Sequence, residues 1–104
     1  MKLRIALAQV NPTVGDLAAN AALVRQNYKQ AQEAGANVVV FPEMVLTGYP
    51  VEDLALRPSF QSASQRAIKE LAAQLTGEIV AIVGYLDQVN GAPQNMVAVI
   101  SGAR

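Results

Sequence analysis

The sequence predicts an α/β fold in which a mixed β-sheet carries two helices on one face. Short apolar segments that suit strands alternate with two longer segments whose apolar residues recur at helical spacing. An Asn90-Gly91 pair between the last two apolar segments indicates a tight turn. Strands separated by a helix usually pair in parallel, whereas strands joined by a tight turn pair antiparallel, so the predicted sheet is mixed.

The first three predicted elements form a right-handed βαβ unit with parallel strands. Residues 3–10 predict a strand that is apolar on both faces and ends before Pro12. Asp16 is the predicted N-cap of a helix that stops at Gly35. The apolar stripe of this helix comprises Leu17, Ala21, Val24, Tyr28 and Ala31. Residues 37–41 predict a second buried strand.

A long loop and a second helix are predicted next. Residues 42–58 contain three of the five prolines and show no sustained periodicity. We interpret this segment as a long ordered loop with at most one helical turn, and loops of this length inside compact domains tend to be either functional or disordered. We expect Ser59 or Ser62 to cap the second helix, with Gly77 just beyond its end. The apolar face of this helix comprises Phe60, Ala67, Ile68, Leu71 and Leu75.

The last predicted elements form a β-hairpin. Residues 79–85 predict the third strand and residues 95–100 the fourth, with the Asn90-Gly91 turn between them. Two helices can cover only one face of this sheet, although the strands are apolar on both faces. A layer from outside this sequence is therefore expected to cover the other face.

The chain is expected to be part of a larger domain that residues 1–104 do not complete. Only 15% of the residues are charged, below the ~25% that is typical of soluble domains. A chain with so few charged residues has few polar groups with which to cover a water-exposed surface. The chain also ends directly after a predicted strand.

The composition excludes several kinds of chemistry within these 104 residues. Without cysteine or histidine there is no disulfide, thiol nucleophile, zinc-binding thiolate or Ser-His-Asp triad. The glycine motifs of nucleotide-binding loops are missing as well. A net charge of zero disfavours a nucleic-acid partner. Because no apolar run approaches ~20 residues and no signal peptide is evident, we expect a cytoplasmic protein with no membrane partner.

Glu43 is the strongest candidate for a catalytic residue. It follows Pro42 at the carboxyl end of a predicted parallel strand, where open α/β sheets place their ligand crevices. Apolar neighbours in the sequence could raise the pKa of such a carboxyl group towards neutrality, which would suit a general base. A surface or loop-capping carboxylate is the alternative, and the residues alone leave both interpretations open.

Two further polar features lie in the same loop. Glu52 and Asp53 are adjacent, and adjacent side chains seldom converge on one metal ion, so a capping or ion-pair role is favoured. Arg57 is a possible partner for the pair. Tyr49, between Gly48 and Pro50, either anchors the loop or lines a binding site. No residue is predicted to bind a cofactor or a metal.

The motifs resemble those of a known superfamily. LRIALAQVNPTVGD, followed after a helix by GANVVVFPEMVLTGYPVEDLALRPSF, resembles the N-terminal part of the nitrilase, or carbon-nitrogen hydrolase, superfamily. Within that superfamily, TGYPVEDLALRPSF is similar to the glutamine-hydrolysing domain of glutamine-dependent NAD synthetases. Val51 departs from this pattern, because a proline is more usual after TGYP.

The resemblance implies a fold and a reaction. The superfamily fold is an α-β-β-α sandwich, of which this chain would be the first half. Its members hydrolyse carbon-nitrogen bonds with a Glu-Lys-Cys triad, and Glu43 matches the family glutamate by motif. The lysine and cysteine have no counterpart in this chain, so we expect the isolated chain to be inactive.

Substrates and partners follow from the resemblance too. A protein of this kind would release ammonia from L-glutamine and pass it to a C-terminal domain that uses ATP and Mg²⁺ to amidate deamido-NAD. A homo-oligomer is implied as well. A stand-alone amidase or nitrilase and a non-catalytic α/β binding module are the two alternative functions.

Overall fold

The computed structural model describes residues 2–102, which form a four-stranded sheet with both helices on one face. The strands are β1 (Ile5–Leu7), β2 (Val38–Val40), β3 (Val80–Val89) and β4 (Ala92–Ser101), and the helices are α1 (Leu17–Glu33) and α2 (Pro58–Gln74). A 3₁₀ helix spans Glu52–Leu56. The sheet order is β1-β2-β3-β4; β1, β2 and β3 run parallel, and β4 pairs antiparallel with β3. The predicted mixed α/β sheet is confirmed.

The two ends of α1 form as the sequence predicts. The Asp16 side chain accepts a hydrogen bond from the Ala19 N–H at 3.0 Å, which satisfies one of the unpaired amides of the first turn. At the other end, Gly35 has a φ of 82°, a left-handed conformation that glycine adopts without a Cβ clash. The buried face of α1 includes the predicted apolar residues Ala21, Val24, Tyr28 and Ala31.

The start of α2 differs from the prediction. The helix begins at Pro58, its N-cap position is Arg57, and no side-chain hydrogen bond caps it, so the expected Ser59 or Ser62 cap is wrong. Proline suits the first helical turn because its φ is already helical and its missing N–H would have no partner there. The helix therefore starts two residues earlier than a Ser59 cap would place it.

The strands also differ in length from the prediction. Pairing in β1 is limited to Ile5–Leu7, within the predicted residues 3–10, whereas β4 starts at Ala92 rather than at residue 95. Pro93 lies within β4, opposite Gln88. Within the described residues β4 is an edge strand, where proline is tolerated because its missing N–H breaks no ladder.

The hydrophobic core lies between the sheet and the two helices. One row of paired residues across the sheet, Ala6, Val39, Ala81 and Ile100, belongs to this core or packs against it. Val24 of α1 and Leu71 of α2 pack against this face and are almost completely buried. These helices therefore stabilise one face of the sheet by burying apolar surface.

The opposite face of the sheet, which we call the open face, is apolar and largely uncovered by the described residues. The next row of paired residues is Leu7, Val40, Ile82 and Val99, and its outer members Leu7 and Val99 are 73% and 69% exposed. Ile5 is also exposed. β1 is thus apolar on both faces, as predicted, but residues 2–102 cover only one of them. No helix in the described part of the chain is long and apolar enough to cross a membrane.

The Asn90-Gly91 turn joins β3 to β4 as predicted. Val89 pairs with Ala92, and the two residues between them have φ values of 53° and 83°. Both central residues of a type I′ turn require a positive φ, which asparagine and glycine tolerate best. The turn therefore sets the register of the whole hairpin.

Replacing Gly91 by alanine should destabilise the protein by about 1 kcal/mol, because the Cβ of alanine crowds the backbone in the left-handed conformation. A Cβ at this position would meet no atom within 4 Å. The loss of stability therefore measures the backbone strain alone. The measurement is the urea midpoint of unfolding. Gly91→Asn is the matched control and should lose less stability, because asparagine tolerates a positive φ better than alanine. An equal loss of stability in both variants would contradict backbone strain as the cause.

Candidate active site on the open sheet face

The segment after β2, residues 41–51, forms the candidate site and is called the site loop below. The Phe41 N–H donates to the Ile82 carbonyl at 3.0 Å, which extends the β2–β3 pairing by one residue before Pro42. Proline lacks an N–H, so the pairing stops there. Two tight turns follow, closed by hydrogen bonds from Val45 N–H to the Pro42 carbonyl and from Gly48 N–H to the Met44 carbonyl.

The site loop lies directly against β3 at Gly84. A Cβ built on Gly84 would come within 2.5 Å of the Met44 nitrogen and 3.3 Å of the Glu43 carbonyl carbon. The Leu46 N–H donates to the Gly84 carbonyl at 3.2 Å. Only glycine allows so close an approach of two backbones, which explains an isolated glycine inside a strand.

Met44 anchors the loop on the open face. Its side chain is buried in a small cluster with Val51 and Leu86, apart from the main core. The backbone of Met44 has a φ of 54°, which is uncommon for a residue with a side chain. This turn sends the Met44 side chain into the cluster and leaves the adjacent Glu43 side chain exposed.

The Glu43 carboxylate meets Asn95 of β4. Asn95 Nδ2 donates to Glu43 Oε2 at 2.5 Å. Asn95 pairs with Leu86 across the hairpin, so both side chains lie on the open face. The expected apolar environment of Glu43 is not provided by the described residues, because its apolar neighbours Met44 and Val45 are buried while Glu43 itself faces outward.

A completely buried asparagine on α1 holds the site loop from the other side. Asn20 Oδ1 accepts from the Thr13 N–H at 2.8 Å, and Asn20 Nδ2 donates to the carbonyls of Thr13 and Leu46 at 2.8 and 3.0 Å. The Gly15 N–H adds a bond to the Thr47 carbonyl at 2.9 Å. One amide therefore joins the loop before α1 to the site loop.

The other candidate residues lie at the outer edge of the loop. Tyr49 is 65% exposed, and among residues 2–102 no hydrogen bond joins it to Glu43. Glu52 and Asp53 lie exposed in the first turn of the 3₁₀ helix, where a negative charge faces the free N–H groups. Within the described chain, no three His, Cys, Asp or Glu side chains form a group that could hold a metal ion.

A second polar cluster lies on the helical side of the sheet and is separate from Glu43. Asp87 accepts from Gln65 Nε2 at 2.5 Å and from the Gln88 N–H at 2.7 Å, and these bonds hold the pKa of its carboxyl group below the usual range. Burial, followed by the charge of Asp87, raises the pKa of Tyr85. Because Gln65 belongs to α2, this cluster ties that helix to β3.

A groove of about 310 Å³ runs between α1 and α2 on the outer side of the helices. It is lined by Arg25, Arg66, Glu70 and several alanines, and no residue of the site loop borders it. The candidate site is instead the shallow surface around Glu43 on the open face. Fold and site together define an α/β protein with a single carboxylate presented at the carboxyl end of a parallel strand.

The chain belongs to the carbon-nitrogen hydrolase family, whose model matches residues 4–103. A glutamine-dependent NAD(+) synthetase from Xylella fastidiosa is 46% identical over 99 residues, which are 94% of this chain and 18% of that protein. The crystal structure of a glutamine-dependent NAD(+) synthetase from Cytophaga hutchinsonii matches with a TM-score of 0.89 and 28% identity, over 96% of this chain and 17% of that one.

The same fold occurs in the glutamine-dependent NAD+ synthetase from Acinetobacter baumannii, solved in complex with ADP. Its TM-score is 0.81 at 30% identity, and the match covers 98% of this chain and 19% of that one. This chain thus spans less than a fifth of each of these three synthetases. The resemblance to the superfamily and the nitrilase-like fold are both confirmed.

Three residues that build the site were missed by the sequence interpretation. Asn20 interrupts the apolar stripe of α1, and a polar residue at such a position indicates a buried hydrogen-bonding role. Gly84 is an isolated glycine in a strand, which indicates close backbone contact. The role of Asn95 could not be predicted from its neighbours in the sequence, because its partner Glu43 lies 52 residues away.

Asn20→Ala should destabilise the protein by about 1–3 kcal/mol, because it removes the partner of the buried Leu46 carbonyl and of two partly buried backbone groups of Thr13. The free energy of urea unfolding is the measurement. Asn27→Ala is the matched control on the same helix, since Asn27 makes one local bond to the Leu23 carbonyl. A loss no larger than that of the control would refute the structural role of Asn20.

Gly84→Ala should loosen the site loop and destabilise the protein by about 1–3 kcal/mol, because the new methyl group overlaps the Met44 backbone. Hydrogen exchange of the Leu46 and Gly48 amides should accelerate. Val97→Ala is the control, since Val97 lies directly opposite Gly84 on β4 and is exposed. Unchanged exchange of the Leu46 amide in Gly84→Ala would contradict the proposed clash.

Proposed function

We propose that this chain is the N-terminal part of the glutaminase domain of a glutamine-dependent NAD synthetase, and that Glu43 is its general base. The observation that carries the proposal is the Glu43 carboxylate, which the site loop holds at the carboxyl end of β2 on the open face. The proposal is supported by relatives of that name with up to 46% identity over most of the chain.

The reaction proposed for the whole domain is hydrolysis of the side-chain amide of L-glutamine. Glu43 accepts the proton of a cysteine thiol as the sulfur attacks the amide carbon, and it returns that proton to the leaving nitrogen as the carbon-nitrogen bond breaks. Water then hydrolyses the thioester, again with Glu43 as the proton acceptor. A lysine stabilises the oxyanion of each tetrahedral intermediate.

The triad requires residues from outside this chain. The 104 residues contain no cysteine, so the nucleophile comes from another part of the protein, and we propose the same for the lysine. The open face supports this arrangement, because its exposed apolar side chains suit burial against a second sheet. Such a layer would also exclude water around Glu43 and strengthen its electrostatic interactions with the substrate.

The remaining proposals concern the whole protein. The ammonia would pass to a C-terminal ligase domain that amidates deamido-NAD with ATP and Mg²⁺, in a cytoplasmic, homo-oligomeric enzyme. A use of ATP is supported by the similar synthetase that was solved with ADP. We propose Tyr49 as a substrate-binding residue, because its exposed phenol lies in the same loop as Glu43.

Glu43→Gln in the full-length protein should lower glutamine-supported NAD synthesis by about 10²-fold or more, because a neutral amide cannot accept the thiol proton. Synthesis supported by added ammonia should stay near the wild-type rate, since it needs no amide hydrolysis. Both rates can be measured as NAD formed from deamido-NAD and ATP.

Glu52→Gln is the matched control for this experiment, because Glu52 is an exposed acid in the neighbouring 3₁₀ helix. This variant should retain both rates. Equal loss of the glutamine- and ammonia-supported rates in Glu43→Gln would show that Glu43 acts on the fold rather than in glutamine hydrolysis, and would refute the assignment.

A further inference from the structure

Asn95 lies where a residue that orients Glu43 is needed. Its side chain stands on the open face of β4, beside Leu86, and Nδ2 donates to Glu43 Oε2. An ionised carboxylate can only accept hydrogen bonds, and the amide NH₂ group can only donate. Asn95 therefore supplies a donor to an oxygen of the carboxylate that is proposed as the general base.

The contact also restricts the motion of the Glu43 side chain. An exposed glutamate has several rotatable bonds, and without a partner its carboxylate samples many positions. Among the described residues, Asn95 is the side chain that donates a hydrogen bond to this carboxylate. The bond links two segments that are 52 residues apart, so it fixes the carboxylate relative to the sheet and not merely within its own loop.

The two partners share one rigid reference, which is β3. The backbone of Glu43 lies against Gly84 of β3, and Asn95 belongs to the strand that pairs with β3 along its whole length. The β3–β4 pair thus holds Glu43 in two ways. Its backbone lies directly against β3, and its carboxylate is bonded to Asn95 of β4. This is the arrangement by which rigid elements place a catalytic group within a fraction of an ångström.

On these grounds, and resting on the proposed function, we propose that Asn95 is a positioning residue for Glu43 in glutamine hydrolysis. Asn95 orients the carboxylate towards the thiol and the scissile amide and takes no part in proton transfer itself. The loss of Asn95 should lower the rate of the chemical step while glutamine binding is retained, because Asn95 contacts Glu43 and is not proposed to bind the substrate.

The test uses the full-length protein and the variants Asn95→Ala and Asn95→Asp. Alanine removes the donor, and aspartate keeps the shape but places a second acceptor against Glu43. Gln94→Ala is the matched control, because Gln94 is the adjacent exposed residue of β4 and its side chain points to the other face of the sheet. For each variant we would measure kcat and KM for glutamine, and the rate with added ammonia.

We expect the glutamine-dependent kcat to fall roughly 10- to 100-fold in both Asn95 variants, because a misplaced catalytic group is costly to the rate. The KM for glutamine and the ammonia-supported rate should stay within about twofold of the wild type. Asn95→Gln keeps the amide donor and should recover part of the lost kcat. Gln94→Ala should match the wild type in every measurement.

Other outcomes would overturn the inference. Wild-type glutamine-dependent kcat in Asn95→Ala shows that Glu43 needs no such donor. A parallel loss of the ammonia-supported rate, or recovery no better in Asn95→Gln than in Asn95→Ala, indicates a role in the fold alone. If the wild-type protein makes no NAD from glutamine, the proposed function itself fails, which is a distinct result from a failure of the Asn95 variants.

Discussion

The close contact between the site loop and Gly84 is the constraint on which the rest of the site depends. Because the Glu43–Met44 backbone lies directly on β3, the side chains of these two residues must leave in different directions. Met44 enters the Leu86 cluster, and Glu43 is left at the surface, within reach of Asn95. A methyl group at position 84 would remove the space that makes this arrangement possible.

Apolar packing by itself would not specify the path of the site loop. The loop is held at Leu46 by one hydrogen bond from Asn20, whose completely buried side chain makes two further bonds to Thr13. Hydrogen bonds are directional, and an unsatisfied buried amide costs free energy, so a slipped loop would be penalised. The site thus combines one steric contact on β3 with one polar anchor on α1.

The open face connects the composition of the chain to its function. A low charge content and exposed apolar residues on the outer strands suit a sheet that a second layer covers. Glu43 lies on the same face, so the layer that buries the apolar surface would also enclose the carboxylate. Stability and catalysis in the proposed glutaminase domain would then depend on the same contact between two halves of a sandwich.

Features that depend on local patterns could be predicted from the amino-acid sequence. The strands and helices, the Asp16 cap, the Asn90-Gly91 turn and the position of Glu43 after a parallel strand follow from periodicity and turn chemistry among neighbouring residues. The α2 boundary was missed because the first-turn preference of Pro58 overrode the serine caps. This error in the helix boundary also depends only on neighbouring residues.

The residues that surround Glu43 could not be predicted from local patterns, because they come from distant parts of the chain. Its sequence neighbours are apolar, yet a turn at Met44 directs it outward to Asn95, and Asn20 and Gly84 hold the loop from α1 and β3. These contacts join segments that are 26 to 52 residues apart. Periodicity reports which face a residue occupies, whereas a contact between distant segments exists only after the sheet has assembled and set their separation.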